Sequence, residues 1–451
     1  MTERTLDLTT GSILGKMLRF ALPVLAGNLL QEAYNVVDTL IVGQTLGVAK
    51  LAAIGATGPL NMLASGLIMG ITAGCAVPTS QYYGAGDDEK IKRSVAAHIL
   101  IAVVLGIVMT LGFSLSVAPL LRLLNTTADT FDSAHSYLRV IYLGIPAILL
   151  YNLLSASLRA VGDSWTPLFL LIGSSVLNIV LDLVFILCFH WDVTGAAIAT
   201  VLAQLTSGLL CLAYTVRKAR ILIPDRSSWT ELSAILREEL KVGIPMGFQF
   251  VIIAGGMMVL QAVLNGFGSD AVAAYTVGGR IQGLCQNPFV SMGTVVATFV
   301  GQNSGARQYD RIRTGVKKSL LFTTALAVAI GAVVWLLARP ITLVFVDAGE
   351  ESVIALTKVY LNWGCPLLWT LSFLFVYRGA LQGIGDGVIP MLGGVLELCM
   401  RAIIPLILGG TLGFTSICIA GPAAWAACGL MMTVGYFIRL HKLSETSHPA
   451  V

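Results

Sequence analysis

Charge is what this 451-residue chain lacks: Asp, Glu, Lys and Arg make up only 12% of it against 56% hydrophobic residues, and its mean hydropathy is +0.84. So little charge excludes a water-soluble globular fold, because a chain of this composition cannot hide its apolar surface in water and needs lipid as its solvent. The eight cysteines show no CxxC pair and no metal-ligand spacing, and read as small core residues. The five histidines are scattered near span ends and tails, which argues against a metal site. Catalytic signatures are missing as well. There is no HExxH, no DDxxD-type run and no Gly-x-Ser-x-Gly. The run Gly11-Ser12-Ile13-Leu14-Gly15-Lys16 is too short between its glycines for a phosphate-binding loop, and Met17 stands where Ser or Thr is needed. These absences argue against an enzyme, against a bound cofactor and, with a net charge of only +4, against a nucleic-acid partner.

What is present is apolar runs long enough to cross a bilayer. Twelve fill most of the chain, at roughly 17–39, 50–80, 94–118, 136–158, 165–189, 194–216, 242–265, 272–302, 318–338, 353–378, 388–410 and 418–438. They predict an all-α integral membrane protein. The Lys and Arg of the connections gather on one side, among them Lys90, Lys92, Arg93, Arg217, Lys218, Arg307, Arg311, Arg313, Lys317, Arg378 and Arg439. Lys50, Arg122, Arg139, Arg339 and Lys358 face the other way. The positive-inside rule makes the first side cytoplasmic and places both termini there. The first run is too long for a secretory signal and lacks a small-residue cleavage site, so it is expected to remain as an anchor.

The chain also repeats itself. Gln81, Gly84 and Ala85 return as Gln302, Gly305 and Ala306, Gly162-Asp163 with Pro167 returns as Gly385-Asp386 with Pro390, and Gly47 with Ala52-Ala53 returns as Gly268 with Ala273-Ala274. Pro23 in the first span is matched by Pro245 in the seventh. Such spacing over half a chain signals duplication. It predicts an N-terminal lobe over 1–218, a cytoplasmic linker over 219–241 and a C-terminal lobe over 242–451. The amphipathic stretch from Trp229 to Leu240 reads as an interfacial helix within that linker. Six spans per half give both halves the same orientation, with a cleft between them.

Six ionisable residues fall at membrane depth: Glu32, Asp38, Asp182, Arg280, Glu397 and Arg401. Such groups cost about 2.5 to 3.5 kcal/mol each and persist through pairing or function. Glu397 and Arg401 stand i, i+4 and can neutralise each other. Asp38, Asn178 and Asp182 lack counterparts, falling opposite an apolar residue, Arg401 and Pro405 in the second copy. Asn178 and Asp182 share a helix face; with Asp38 and Thr200 they would form an oxygen-rich pocket suited to a hard cation or a shared proton. The competing reading is a buried polar pair that only fixes helix packing. Pro23 removes a helix hydrogen bond and predicts either a static bend or a hinge.

At these residues the chain resembles the multidrug and toxic compound extrusion (MATE) family of secondary transporters. The likeness runs over almost the whole chain. It rests on Pro23 with Tyr34-Asn35-Val36-Val37-Asp38 and Val42-Gly43, Gln81 with Gly84-Ala85, Arg159-Ala160-Val161-Gly162-Asp163, Asn178 with Asp182, the stretch from Gly195 to Thr200, and Gly301-Gln302-Asn303. The resemblance implies twelve helices in two pseudo-symmetric six-helix lobes forming a V-shaped central cleft. It implies export of cationic or amphipathic compounds by antiport with protons or sodium. It also implies cation coupling, with sodium as a possible ion, at Asp38, Asn178, Asp182 and Thr200, and a hinge at Pro23, as in the branch whose site lies in the N-terminal lobe. Another branch uses acidic residues of the seventh and tenth helices, where this chain has neutral residues such as Gln249, Gln261 and Tyr377. Expected substrate contacts are Gln31, Tyr34, Asn35, Met62, Met69, Gln249, Met257, Gln261, Arg280 and Gln282, with Arg280 paired to Glu32 or Glu397. The expected setting is a monomer in a prokaryotic plasma membrane, acting on small toxic compounds among membrane lipids. A flippase for lipids or lipid-linked oligosaccharides, from the same superfamily, is the alternative. Asn125-Thr126-Thr127 forms a glycosylation sequon that is read as accidental.

Overall fold

The computed structural model describes residues 5–124 and 126–447, so Asn125 of the sequon lies outside the described residues. Among them are fifteen α-helices and no strand. In chain order these are α1 (Ile13–Leu46), α2 (Val48–Ala85), α3 (Asp88–Leu123), α4 (Ala128–Leu143), α5 (Ile145–Ala160), α6 (Trp165–Leu183), α7 (Asp192–Lys218) and α8 (Leu232–Leu264). They continue as α9 (Ser269–Gly305), α10 (Tyr309–Leu336), α11 (Ala338–Thr342), α12 (Glu351–Gly364), α13 (Thr370–Gly383), α14 (Val388–Leu412) and α15 (Phe414–Ser447).

Nine described helical segments are long and apolar enough to cross a bilayer, and two bent pairs, α4 with α5 at 47° and α12 with α13 at 54°, raise the number to eleven. Both bends have local causes. Pro146 is the second residue of α5, two places after Gly144, and Pro366 lies in the short 3-10 turn between α12 and α13. The twelfth expected span is α9, a 37-residue helix whose apolar run is interrupted by Arg280, Gln282, Gln286 and Asn287.

Packing divides the chain into two compact units. The first holds Leu22–Gly247 and the described residues up to Leu8; the second holds Thr9–Ala21 and Phe248 onward. The boundary within α1 falls beside Pro23, and the one within α8 falls just after Pro245. The first unit is built around an apolar cluster that includes Ile68, Leu121, Leu138, Tyr142, Ile145 and Leu149. Its α2 meets the start of α8 at glycines: a Cβ on Gly70 would lie 2.5 Å from the Met246 carbonyl oxygen, and one on Gly74 would lie 2.6 Å from Gly243 Cα. Only backbone fits there, the usual reason for small residues between membrane helices. In the second unit, clusters around Tyr360, Leu361 and Cys418 and around Leu260, Leu264 and Ile417 fill the interior.

The repeated Gly-Asp pairs are turns that start a helix. Gly162 and Gly385 adopt φ of 91° and 89°, a region that favours glycine. The following carboxylates cap the next helix: Asp163 accepts from Thr166 N at 3.0 Å, and Asp386 accepts from Val388 N and Ile389 N at 3.0 and 3.1 Å. The stretch read as a linker helix is continuous with α8, preceded by short 3-10 turns at Arg220–Leu222 and Arg226–Trp229. Its Glu239 is fully buried, accepts from Ser94 Oγ at 2.7 Å and lies 3.6 Å from His98 Nε2. An interfacial helix of its own is therefore not what this stretch forms.

Candidate functional site

In the first unit, three helices bring the predicted polar residues together. Helix α1 contributes Tyr34 and Asp38, α6 contributes Asn178 and Asp182 one turn apart, and α7 contributes Thr200. Thr200 Oγ1 accepts from Asn178 Nδ2 at 3.4 Å and shares a hydrogen bond with Tyr34 Oη at 3.3 Å. Asp182 is fully buried, Asn178 is 1% exposed, and Asp38 is half-buried. The Asp38 and Asp182 carboxyls stand close enough to interact with each other. Among the described residues neither joins an ion pair with Lys, Arg or His; Lys50 of the same unit pairs with Asp192 and Ser133.

Four buried oxygens at this point have no hydrogen-bond partner: Asp38 Oδ1, Asn178 Oδ1 and both carboxylate oxygens of Asp182. Buried acceptors of this kind call for a donor or a cation. Carboxylate, amide and hydroxyl oxygens suit a proton or a hard monovalent cation such as sodium. Two residues after Asp182 the helix widens into a π-helical turn, Val184–Cys188, a feature that recurs at functional sites. Tyr137 of α4, 7% exposed, faces Asp38, Tyr34 and Asp182. It was absent from the sequence-based set. The available signal was its hydroxyl, carried on the buried face of α4 among Thr130, Ala134, Leu138 and Ile141.

The expected substrate contacts divide between the units. Gln31, Asn35, Met62 and Met69 are exposed in the first unit and Tyr34 is partly so; Met257, Gln261 and Arg280 are exposed in the second, with Gln282 partly so. Gln282 accepts from the Tyr360 hydroxyl, and Gln261 Nε2 donates to Asn265 at 2.9 Å. Gln249 differs. It is 2% exposed, and its amide oxygen, turned toward Arg378, accepts from Nε at 3.0 Å and Nη1 at 3.3 Å.

The expected pairing of Arg280 with Glu32 or Glu397 does not occur among the described residues. Glu397 lies instead between Arg378 Nη2 at 3.7 Å and Arg401 Nη1 at 3.8 Å. By hydropathy Arg378 stands at the edge of its apolar run and groups with the cytoplasmic charges. In the structure it lies inside α13, with its side chain 12% exposed. The i, i+4 reading of Glu397 with Arg401 is thus half of a three-residue cluster.

Outside the spans, Asp225 caps the turn at Arg226–Trp229. It accepts from Ser227 Oγ and Ser228 Oγ at 2.7 Å and pairs with Lys92 at 3.1 Å, contacts that hold its carboxyl well below the usual carboxylate range. Among the described residues no group of three or more His, Cys, Asp or Glu could hold a metal ion.

The family model described as MatE matches twice, over residues 23–184 and 245–406, and the two matches begin at Pro23 and Pro245. The chain is 29% identical over 401 residues to the probable multidrug resistance protein YpnP of Bacillus subtilis, covering 88% of this chain and 87% of that protein. It is 24% identical over 445 residues to the multidrug export protein MepA of Staphylococcus aureus, covering 96% and 95%. A crystal structure of MATE in complex with MaL6 has the same fold, with a TM-score of 0.91 at 24% identity over 98% of this chain and 100% of the other.

Proposed function

The chain belongs to the MatE family of membrane transporters, and we propose that it exports small cationic or amphipathic toxic compounds by antiport with protons or sodium. The observation that carries this reading is the pair of facing carboxylates, Asp38 and Asp182, whose buried oxygens lack partners and which no basic side chain neutralises. Two like charges in a low-dielectric site repel, so the site gains from taking up one proton or one cation. Thr200, Asn178, Tyr34 and Tyr137 surround it, and loading would change which of them the carboxylates bind. Asp38 shares α1 with Pro23, whose ring nitrogen cannot donate to the Arg19 carbonyl. Repulsion and its relief at Asp38 therefore act on a helix that is already weakened at Pro23, about three turns from its start and about four turns before Asp38.

One charge moving down 100 mV supplies about 2.3 kcal/mol, enough to sustain about a fifty-fold solute gradient. This engine needs no nucleotide. We assign substrate contact to the exposed or half-exposed Gln31, Tyr34, Asn35, Met62 and Met69 of the first unit and Met257, Gln261, Arg280 and Gln282 of the second. Methionine suits a wall that must fit many shapes. Multidrug resistance and export are the functions named for the bacterial relatives, and the lopsided Lys and Arg distribution supports a plasma-membrane protein with cytoplasmic termini.

The test is efflux of a cationic dye from proteoliposomes under an imposed pH or sodium gradient. Gradient-driven movement that Asp38→Asn and Asp182→Asn abolish, with the protein still folded, is the expected result. Absence of dye movement under either gradient, together with scrambling of labelled lipid or lipid-linked sugar, would replace it with a flippase.

A further inference from the structure

Midway along α14 the second unit holds a charge excess of the opposite kind. Arg378 and Arg401 flank the single carboxylate of Glu397, so the three side chains together carry one net positive charge. A guanidinium does not shed its proton, so this charge is fixed. Burying it without a full complement of acceptors is unfavourable. The contacts present do not supply one. The Gln249 amide oxygen satisfies Nε and Nη1 of Arg378, and the Phe375 ring covers a face of the same guanidinium at 5.3 Å. Arg378 Nη2 and Arg401 Nη1 remain buried with no hydrogen-bond acceptor, because both lie beyond hydrogen-bond reach of Glu397.

We propose that Arg378 and Arg401 form an anion site in the second unit, taking one small monovalent anion, a halide or a carboxylate, beside Glu397. The charge excess is one, which matches a monovalent ligand. Each arginine side chain keeps 12% exposure while Glu397 keeps 4%, so the arginines are the more open members of the cluster. Tyr275 stands near Arg401 and offers a hydroxyl donor from α9. Planar guanidinium donors suit carboxylate as well as halide. Glu397 occupies part of the same field and competes with the ligand, which gives the site a signed test.

The experiment measures saturable binding of radiolabelled chloride and radiolabelled acetate to the full-length protein in detergent, at constant ionic strength with gluconate as the replacement anion. Parallel thermal unfolding is followed in the same salts. Binding to the parent, at least about tenfold tighter binding to Glu397→Gln, and its loss in Arg401→Gln are expected, since removing a charge about 4 Å away changes the local field strongly. Binding of chloride marks an inorganic ligand, and binding of acetate alone marks the carboxylate of an organic one. The gain in Glu397→Gln cannot arise from misfolding. Absence of saturable binding of either anion to both the parent and Glu397→Gln would overturn the proposal. So would a salt-dependent rise in unfolding temperature that Arg401→Gln retains in full, which would mark it as a general salt effect.

Discussion

The two copies of the repeat agree at their turns and part company at mid-membrane, and the parting is one of charge sign. In the first unit, α6 carries Asn178 and Asp182; at the matching places α14 carries Arg401 and Pro405. The first copy then opens into a π-helical turn, whereas α14 runs on to Leu412. Carboxylates can gain and lose a proton in a transport cycle; guanidiniums cannot. Duplication has thus kept the Gly-Asp caps that both copies need to fold and left the interior free to differ, with unpaired carboxylates in one unit and a fixed positive excess in the other.

The largest effect should come from erasing the carboxylate side. Asp182→Asn and Asp38→Asn are each expected to abolish gradient-driven dye transport while leaving the protein folded. The thermal midpoint of Asp182→Asn should hold or rise, because a buried unpartnered carboxylate is replaced by a neutral group of the same shape. Transport at parental rates in both variants would remove the contrast between the units. Thr200→Val takes away the hydroxyl that accepts from Asn178 and meets Tyr34, and should reduce coupling less than either aspartate substitution, as read by the same dye assay.

Much of the fold was legible in the sequence. Lipid as solvent leaves helices as the way to satisfy the backbone of a spanning chain of this kind, and the period of the repeat fixed where the equivalent turns lie. Asn178 and Asp182 could be placed on one face from their spacing alone. Their encounter with Asp38 and Thr200 is tertiary: the residue types suggest an oxygen-rich pocket, but spacing does not show that the three helices meet. Tyr137 escaped notice because a tyrosine on a buried helix face looks the same in sequence whether it meets a leucine or a carboxylate. Arg378 was miscounted for a related reason: hydropathy sees a charge at the end of a run, and only packing shows that α13 turns it toward Glu397 and Gln249. Glu239 was hidden by its place in a polar connection, which gives no sign that α8 begins there and buries it against Ser94.

A smaller effect compares the repeated turns themselves. Gly162→Ala and Gly385→Ala both force a side chain into a left-handed conformation, at about 1–2 kcal/mol. Gly162→Ala carries a second penalty, since its Cβ would lie 2.2 Å from the Leu6 carbonyl oxygen. It would also disturb the hydrogen bond from Leu6 N to the Gly162 carbonyl at 3.0 Å. The thermal midpoint of Gly162→Ala should therefore fall further than that of Gly385→Ala. Equal losses would mean that the N-terminal segment yields without resistance and that the two turns are energetically alike.

The smallest effect lies outside both copies, at the clasp formed by Asp225 with Lys92, Ser227 and Ser228. Its carboxyl is held below the ordinary carboxylate value of about 3.9, so folding is favoured by this group above that pH. The contribution disappears as the pH falls through the lower folded-state value, when the carboxylate that accepts these hydrogen bonds is protonated. Because the group is exposed, solvent and salt screen it and the change should be slight. Trp229 closes the turn that Asp225 caps, and its indole is half exposed, so its fluorescence reports the clasp locally. Titration from pH 6 downward should show an acid shift in the parent that Asp225→Asn lacks and that added salt weakens. The same shift in Asp225→Asn would move the acid-sensitive contact elsewhere, first to the Arg93 pair with Glu231 at 3.4 Å, which ties the same linker to α3.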